Sequence, residues 1–300
     1  MRTSERNTAQ HAALASVLVG AGVLALKSGA AMLTGSVALL SDALESVVNV
    51  VAAAMLWLAL RVSARPADHN HPYGHAKIEY FSAGLEGTLV VLAAATIAWQ
   101  ALSRFGRAPN LPELGVGLAV SGVATAANLG LALALERIGR RRRSPALLAD
   151  AIHVRSDVYS SFALYGGFGV AWATGVWALD AIVALVMAVY ILWAGVRAMR
   201  ESIGGLMDEG LAREEVRMIE GILAAEGPPV LEFHDLRTRR AGWRTFVELH
   251  LVVEGSTTVD AAHEICDRLE QAIAHEVEDS EITIHVEPER EALRHRESER

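Results

Sequence analysis

Six apolar stretches, each about 20 residues or longer, fill the first two thirds of this 300-residue chain. They lie near 12–33, 36–60, 79–102, 113–135, 146–171 and 177–197. A helix needs about 20 residues at ~1.5 Å each to cross ~30 Å of hydrocarbon. Inside hydrocarbon, only helices and closed barrels satisfy their own backbone groups. The expectation is therefore an α-helical membrane protein with six transmembrane helices. None of the stretches resembles a removed signal peptide. The first is too long for one, and the second follows almost at once after Thr34-Gly35-Ser36.

Charge divides the chain in two. Residues 209–300 hold 22 acidic and 11 basic side chains, a net of −11, against −8 for the whole, so the first part is +3. This predicts a transmembrane domain over 1–208, a soluble acidic domain over 209–292 and a charged, disordered tail over 293–300. Basic residues set the orientation. Arg2, Arg6, Arg61, Arg65, Lys77, Arg137, the Arg140–Arg143 run, Arg197 and Arg200 fall on one side if the N-terminus is cytoplasmic. Arg104 and Arg107 are outnumbered exceptions. Both termini and the acidic domain are thus expected in the cytoplasm. The arginine run fixes topology and touches anionic lipid headgroups. An acidic soluble domain argues against nucleic acid as a partner.

Two polar pairs interrupt the spans: Glu45 with Asn49, and His153 with Asp157. Ionisable groups in hydrocarbon cost several kcal/mol and mark functional sites by default. Each pair is spaced i, i+4, which places both side chains on one helix face. Span two runs inward and span five outward. At ~1.5 Å per residue, Glu45 comes level with Asp157 and Asn49 with His153, near the midplane. Three oxygens and a nitrogen converging there would cage a divalent metal ion. Transporters hold their substrates at that depth. The bland alternative is polar glue between helices. An Asp42 with Ser46 register on span two is weaker, because serine is a poor ligand for such an ion. Lys27 and Asp180 lie near span ends, and Glu86 sits among small residues.

In the soluble part, helical spacing at Val216, Ile219, Ile222 and Leu223 predicts a helix over 211–224. Residues 246–253 and 282–287 alternate as strands, and 258–277 reads as a helix carrying His263. His250, His285 and Glu287 leave the apolar face of their strands. The lone Cys266 excludes an intrachain disulfide and a CxxC zinc site, and reads as a small buried hydrophobe.

The segments Gly35-Ser36-Val37-Ala38-Leu39-Leu40-Ser41-Asp42-Ala43 and Asp150-Ala151-Ile152-His153-Val154-Arg155-Ser156-Asp157 resemble spans two and five of the cation diffusion facilitator family. The run from Arg65 to Lys77 is similar to that family's loop between spans two and three, and His234-Asp235-Leu236-Arg237-Thr238-Arg239 to its cytoplasmic domain. The likeness runs from about residue 10 to 290 and is closest to the bacterial zinc/iron efflux branch.

The resemblance implies a C-terminal α+β, ferredoxin-like domain of αββαβ order, a homodimer, metal-for-proton antiport and a bacterial inner-membrane location. By position, it implies a transport site of Glu45, Asn49, His153 and Asp157. It also implies a loop metal site of Asp68, His71 and His75. A cytoplasmic metal site would comprise His234, His250, His263 and His285, with Glu287 where the family usually has Asp. Lys77 and Asp208 match an inter-subunit salt bridge. The departure lies at Glu45 and Asn49, where zinc/iron members usually carry Asp twice. With neutral His153, Glu45 and Asp157 supply −2, which balances a divalent ion.

The donor set has no thiolate. It admits Zn²⁺, Fe²⁺ or Mn²⁺ as substrate, and the same ions as ligands of the cytoplasmic domain. Neither HExxH nor GxxxxGK[ST] occurs, so a zinc hydrolase and an ATP-driven pump are not supported. The expectation is a secondary transporter and not an enzyme. A transport-inactive metal sensor or heterodimer partner of the same fold is the alternative.

Overall fold

The computed structural model describes residues 3–34, 37–103, 105, 114–176 and 178–290. Arg2, Gly35, Ser36, Arg104, Arg107 and the tail from 293 lie outside the described residues, as do the side chains of Asp42 and Glu45. The chain divides into two compact units, Met1–Ile203 and Gly204–Arg300.

The first unit is helical: α1 (Thr3–Thr34), α2 (Val37–Ser63), α3 (Ile78–Ser103), α4 (Leu114–Arg142), α5 (Pro145–Thr174) and α6 (Ala178–Leu206), whose last turn enters the second unit. Five helices contain stretches long and apolar enough to cross a membrane: Asn7–Leu33, Ser46–Ser63, Ile78–Ser103, Ala119–Arg142 and Ala178–Leu206. The sixth expected span, 146–171, falls on α5, which does not reach that mark among the described residues. The reason is local. Its first half carries Asp150, His153, Arg155 and Asp157, a charge density that hydrocarbon tolerates only when the groups face protein. Asp150 and His153 are indeed buried.

Alanines allow close approach. Ala9, Ala12 and Ala13 of α1 pack with Leu56 and Leu60 of α2, Leu131 and Leu135 of α4, and Ala146, Leu147 and Ala151 of α5. Helices α3 and α6 meet across glycines. A Cβ on Gly87 would lie 2.8 Å from Met199 Cγ, and one on Gly195 2.9 Å from Val90 Cγ1. Large apolar side chains such as Leu18, Leu58, Leu92, Trp99 and Val189 are exposed, as a lipid-facing surface requires.

The start of α5 is dictated locally. The arginine run belongs to the last turn of α4, and Arg143 turns the chain with φ 49°. Ser144 then caps α5 by accepting from Leu147 N at 3.4 Å, with Pro145 at its first position. Gly175, at φ 73°, ends the helix in the left-handed conformation.

The second unit runs α7 (Arg213–Ala224), β1 (Val230–Ala241), β2 (Arg244–Val253), α8 (Val259–Glu276) and β3 (Ser280–Pro288). The strands form one sheet in the order β1-β2-β3, with β1 antiparallel and β3 parallel to β2. Both helices cover one sheet face, where Ile219, Leu223, Ile265, Leu269 and Ile273 meet Val247, Leu249, Leu251 and Val253. Cys266 is buried on α8, and burial pushes its thiol pKa upward. The opposite face is not simply solvent. Phe246 and Val252 are buried there, with the Arg239 guanidinium 4.1 Å above the Phe246 ring.

Candidate functional site

Three of the four residues expected to form the intramembrane site come together. Asn49 of α2 is the pivot. Its Nδ2 donates to Asp157 Oδ2 at 2.7 Å, and its Oδ1 lies 3.0 Å from His153 Nε2. Asn49 and His153 were expected at one depth, and they touch. The side chain of Glu45 lies outside the described residues. A donor set of one imidazole nitrogen and two oxygens suits a divalent transition metal.

Sequence reasoning missed Asp150. It is buried, accepts from Ser16 Oγ of α1 at 2.8 Å, and lines a small void of about 20 Å³ with Asn49, His153 and Asp157. That volume suits one water-sized occupant. The clue was present: Asp150 stands three residues before His153 and seven before Asp157, so all three share a helix face. A larger cavity of about 260 Å³ opens beyond Asp157 and is lined by Lys27, Asn128, Ser160 and Asp180. Lys27 and Asp180, expected at span ends, both face it.

Glu79 was missed too. It is fully enclosed at the start of α3 and accepts from Ser63 Oγ of α2 at 2.7 Å and from Ser144 Oγ, the cap of α5. Glu86, one heptad later, is equally buried, with Oε2 3.3 Å from His153 Nδ1.

In the α2–α3 connection, Asp68, His71 and His75 gather with potential ligand atoms within 4.8 Å of one another. Asp68 Oδ1 accepts from the backbone N–H groups of His71 at 2.8 Å and Asn70 at 3.0 Å. His71 Nδ1 lies 3.1 Å from Oδ1, and His75 Nε2 3.3 Å from Oδ2. The His71 backbone N–H, above all, holds the Asp68 carboxyl below the usual carboxylate range.

The second unit builds its cluster by register. His234 of β1 pairs with His250 of β2, and His250 with His285 of β3, giving a row of three histidines across the sheet. Glu287, two residues after His285, lies on the same face. His250 Nδ1 is 2.9 Å from Glu287 Oε1, His234 Nε2 3.4 Å from Oε2, and His285 Nε2 3.7 Å from Oε1. His234, His250 and Glu287 have potential ligand atoms within 4.8 Å of one another. Glu287 was expected to leave the core, and it does, yet the histidines bury it to 7% exposure.

His263 is not brought to this row. It is exposed on α8, which covers the other sheet face, and its Nε2 lies 3.8 Å from Asp267 Oδ2. Asp208 bonds Arg239 Nη1 at 3.3 Å within its own unit, and Lys77 belongs to the first unit.

Comparison with known proteins identifies the family. The family model for the cation efflux transmembrane domain matches residues 13–207, and the one for the cation efflux protein cytoplasmic domain matches 211–289. The chain belongs to the cation efflux, or cation diffusion facilitator, family, whose members are transporters and not enzymes. It is 39% identical over 276 residues to the uncharacterized transporter sll1263 of Synechocystis, covering 92% of this chain and 89% of that one. It is 32% identical over 288 residues to the cation-efflux pump FieF of Klebsiella pneumoniae, covering 96% and 95%. Among solved structures, the metal-bound C-terminal domain of the CzcD transporter from Thermotoga maritima is 34% identical. It covers 26% of this chain and 94% of that one, with a TM-score of 0.24.

Proposed function

We propose that this chain is a proton-coupled antiporter that exports a divalent transition-metal cation, Zn²⁺, Fe²⁺ or Mn²⁺, from the cytoplasm across a bacterial inner membrane. The observation that carries the reading is the contact of Asn49 with both His153 and Asp157 inside the helical unit. Glu45 completes the cage. Two carboxylates and a neutral imidazole leave a loaded site without net charge, which a low-dielectric cavity favours. The loaded ion replaces protons at His153 and Asp157 on the cytoplasmic side, and protons from outside displace it after the helices rock.

Helix α5 is the sixth span. Its charged half is shielded by α1, α2, α3 and α4, consistent with the buried Asp150 and His153. The transmembrane part closes at about 208, and both termini face the cytoplasm. The second unit, ferredoxin-like in its element order, joins two copies into a dimer. The rows of His234, His250, His285 and Glu287 hold metal there, and His263 has a place in that site only through the dimer. Lys77 and Asp208 pair between subunits. Asp68, His71 and His75 are a further metal site near the membrane surface.

The test is flux into proteoliposomes under an imposed pH gradient, one metal at a time. Metal-dependent proton movement is expected in the parent, and His153→Ala should lower the number of protons moved per metal. Retained metal whatever the outside acidity would overturn transport and favour a sensor. An unchanged proton ratio in His153→Ala would overturn the coupling.

A further inference from the structure

The geometry points to Glu86 as the positioning residue for His153, fixing which imidazole nitrogen faces the carried ion. This inference rests on His153 being a ligand of that ion. Two buried glutamates lie one heptad apart on α3, and their surroundings differ. Glu79 receives two serine hydroxyls, a satisfied structural carboxylate. Glu86 is 1% exposed, and among the described residues neither of its oxygens accepts a hydrogen bond. Its near neighbour is the imidazole, with Oε2 3.3 Å from His153 Nδ1. A carboxylate costs several kcal/mol in such a place unless it is partnered. Helix glue would not be built this way.

The two ring nitrogens diverge. Nε2 faces Asn49 Oδ1 at 3.0 Å and, through Asn49, Asp157. Nδ1 faces Glu86 on the other edge of the ring. Glu86 therefore cannot share an ion held at Nε2, so it is not a ligand of that ion. The 3.3 Å separation lacks the alignment of a hydrogen bond; turned into line, the carboxylate would accept Nδ1–H, and once the ion displaces the Nε2 proton that faces Asn49 Oδ1, the Nε2 lone pair is left on the side of Asn49 and Asp157 as a stronger donor. The backbone beneath Glu86 is held in place. Gly87 meets α6 so closely that an added Cβ would lie 3.0 Å from Met199 N. Helices α3 and α6 are thus in close contact one residue after Glu86.

The experiment uses the full chain in detergent, in a His71→Ala, His250→Ala background that disables the two other clusters, with Zn²⁺ as the calorimetric probe. Glu86→Leu should weaken Zn²⁺ binding about 10–100-fold. Glu86→Gln, whose amide oxygen can also accept Nδ1–H, should fall between the parent and Glu86→Leu. In the double variant Glu86→Leu, His153→Ala, affinity should equal that of His153→Ala alone, because the carboxylate acts only through the ring. Parent-like affinity in both Glu86 variants, or losses that multiply in the double variant, would overturn the assignment. If Glu86→Leu does not fold, Glu86→Gln decides: weaker binding supports the role, and unchanged binding overturns it. Binding is read apart from flux, so a parent that binds Zn²⁺ but moves none refutes transport and leaves Glu86 to be judged on affinity.

Discussion

Asn49 brings an amide, not a carboxylate, to the expected transport site, and its contacts give that choice a physical meaning. The amide donates to Asp157 with one end and offers an oxygen to His153 with the other. A carboxylate could not do the first. Asn49→Asp would set two carboxylates side by side where a 2.7 Å hydrogen bond now stands, and would add a negative charge for a cation to neutralise. We expect the Zn²⁺ to Mn²⁺ uptake ratio to rise several-fold, because the added anionic donor favours the ion higher in the intrinsic affinity order. Equal ratios in parent and variant proteoliposomes would refute this. At this scale the sequence was informative only where spacing was. The i, i+4 pairs exposed Asn49, His153 and Asp157. Glu86 stood out as an ionisable residue in a span, Glu79 and Asp150 did not, and the partners of all three are on other helices. Ser63 and Ser144 hold Glu79, His153 faces Glu86, and Ser16 holds Asp150. No spacing along one helix reveals which of its polar groups is satisfied from another.

Among the elements, α5 bears the most conflicting demands: it is long enough to span, yet charged along its first half. Its N-terminus resolves part of that conflict, since Ser144 both caps the helix and donates to buried Glu79. Ser144→Ala removes a cap worth about 0.5–2 kcal/mol and leaves a buried carboxylate one donor short, at about 1–3 kcal/mol. The two losses share one hydroxyl, so they do not add fully. The expected outcome is a lower unfolding midpoint in detergent for Ser144→Ala than for Ser63→Ala, which loses only the second donor to Glu79. Equal midpoints would mean that the cap contributes nothing. Composition alone does not mark α5 as a span, and two of the polar groups that lower its hydropathy, Asp150 and His153, are buried. The strands show the same limit. Alternation revealed β2 and β3. It did not define β1, whose register shifts between His234 and Arg237, where Asp235 adopts φ 50°. That irregularity blurs the two-residue period on which strand reading depends. Alternation also gave Glu287 its face but not its burial, which comes from histidines on the two neighbouring strands and its own.

For the whole molecule, the uneven charge is the remaining physical fact. Residues 209–300 carry −11, so two such units repel when they approach. Each also carries a row of three histidines around one buried glutamate, a ligand set that takes up positive charge. Metal held at that row, as proposed, would offset the repulsion. It can bias the dimer only if it binds the closed arrangement more tightly than the open one. Coupling energies of this kind are about 1–3 kcal/mol, or about 5–150-fold in affinity. His234→Ala with His250→Ala should therefore remove the Zn²⁺-induced approach of fluorophores on the two soluble units, and should lower uptake at limiting metal by at least about five-fold. High salt should close part of that gap, since screening weakens repulsion between exposed charges without restoring the ligands. Fluorophores that still converge on zinc addition in this variant, with uptake like the parent's, would show that the strand histidines do not govern the dimer.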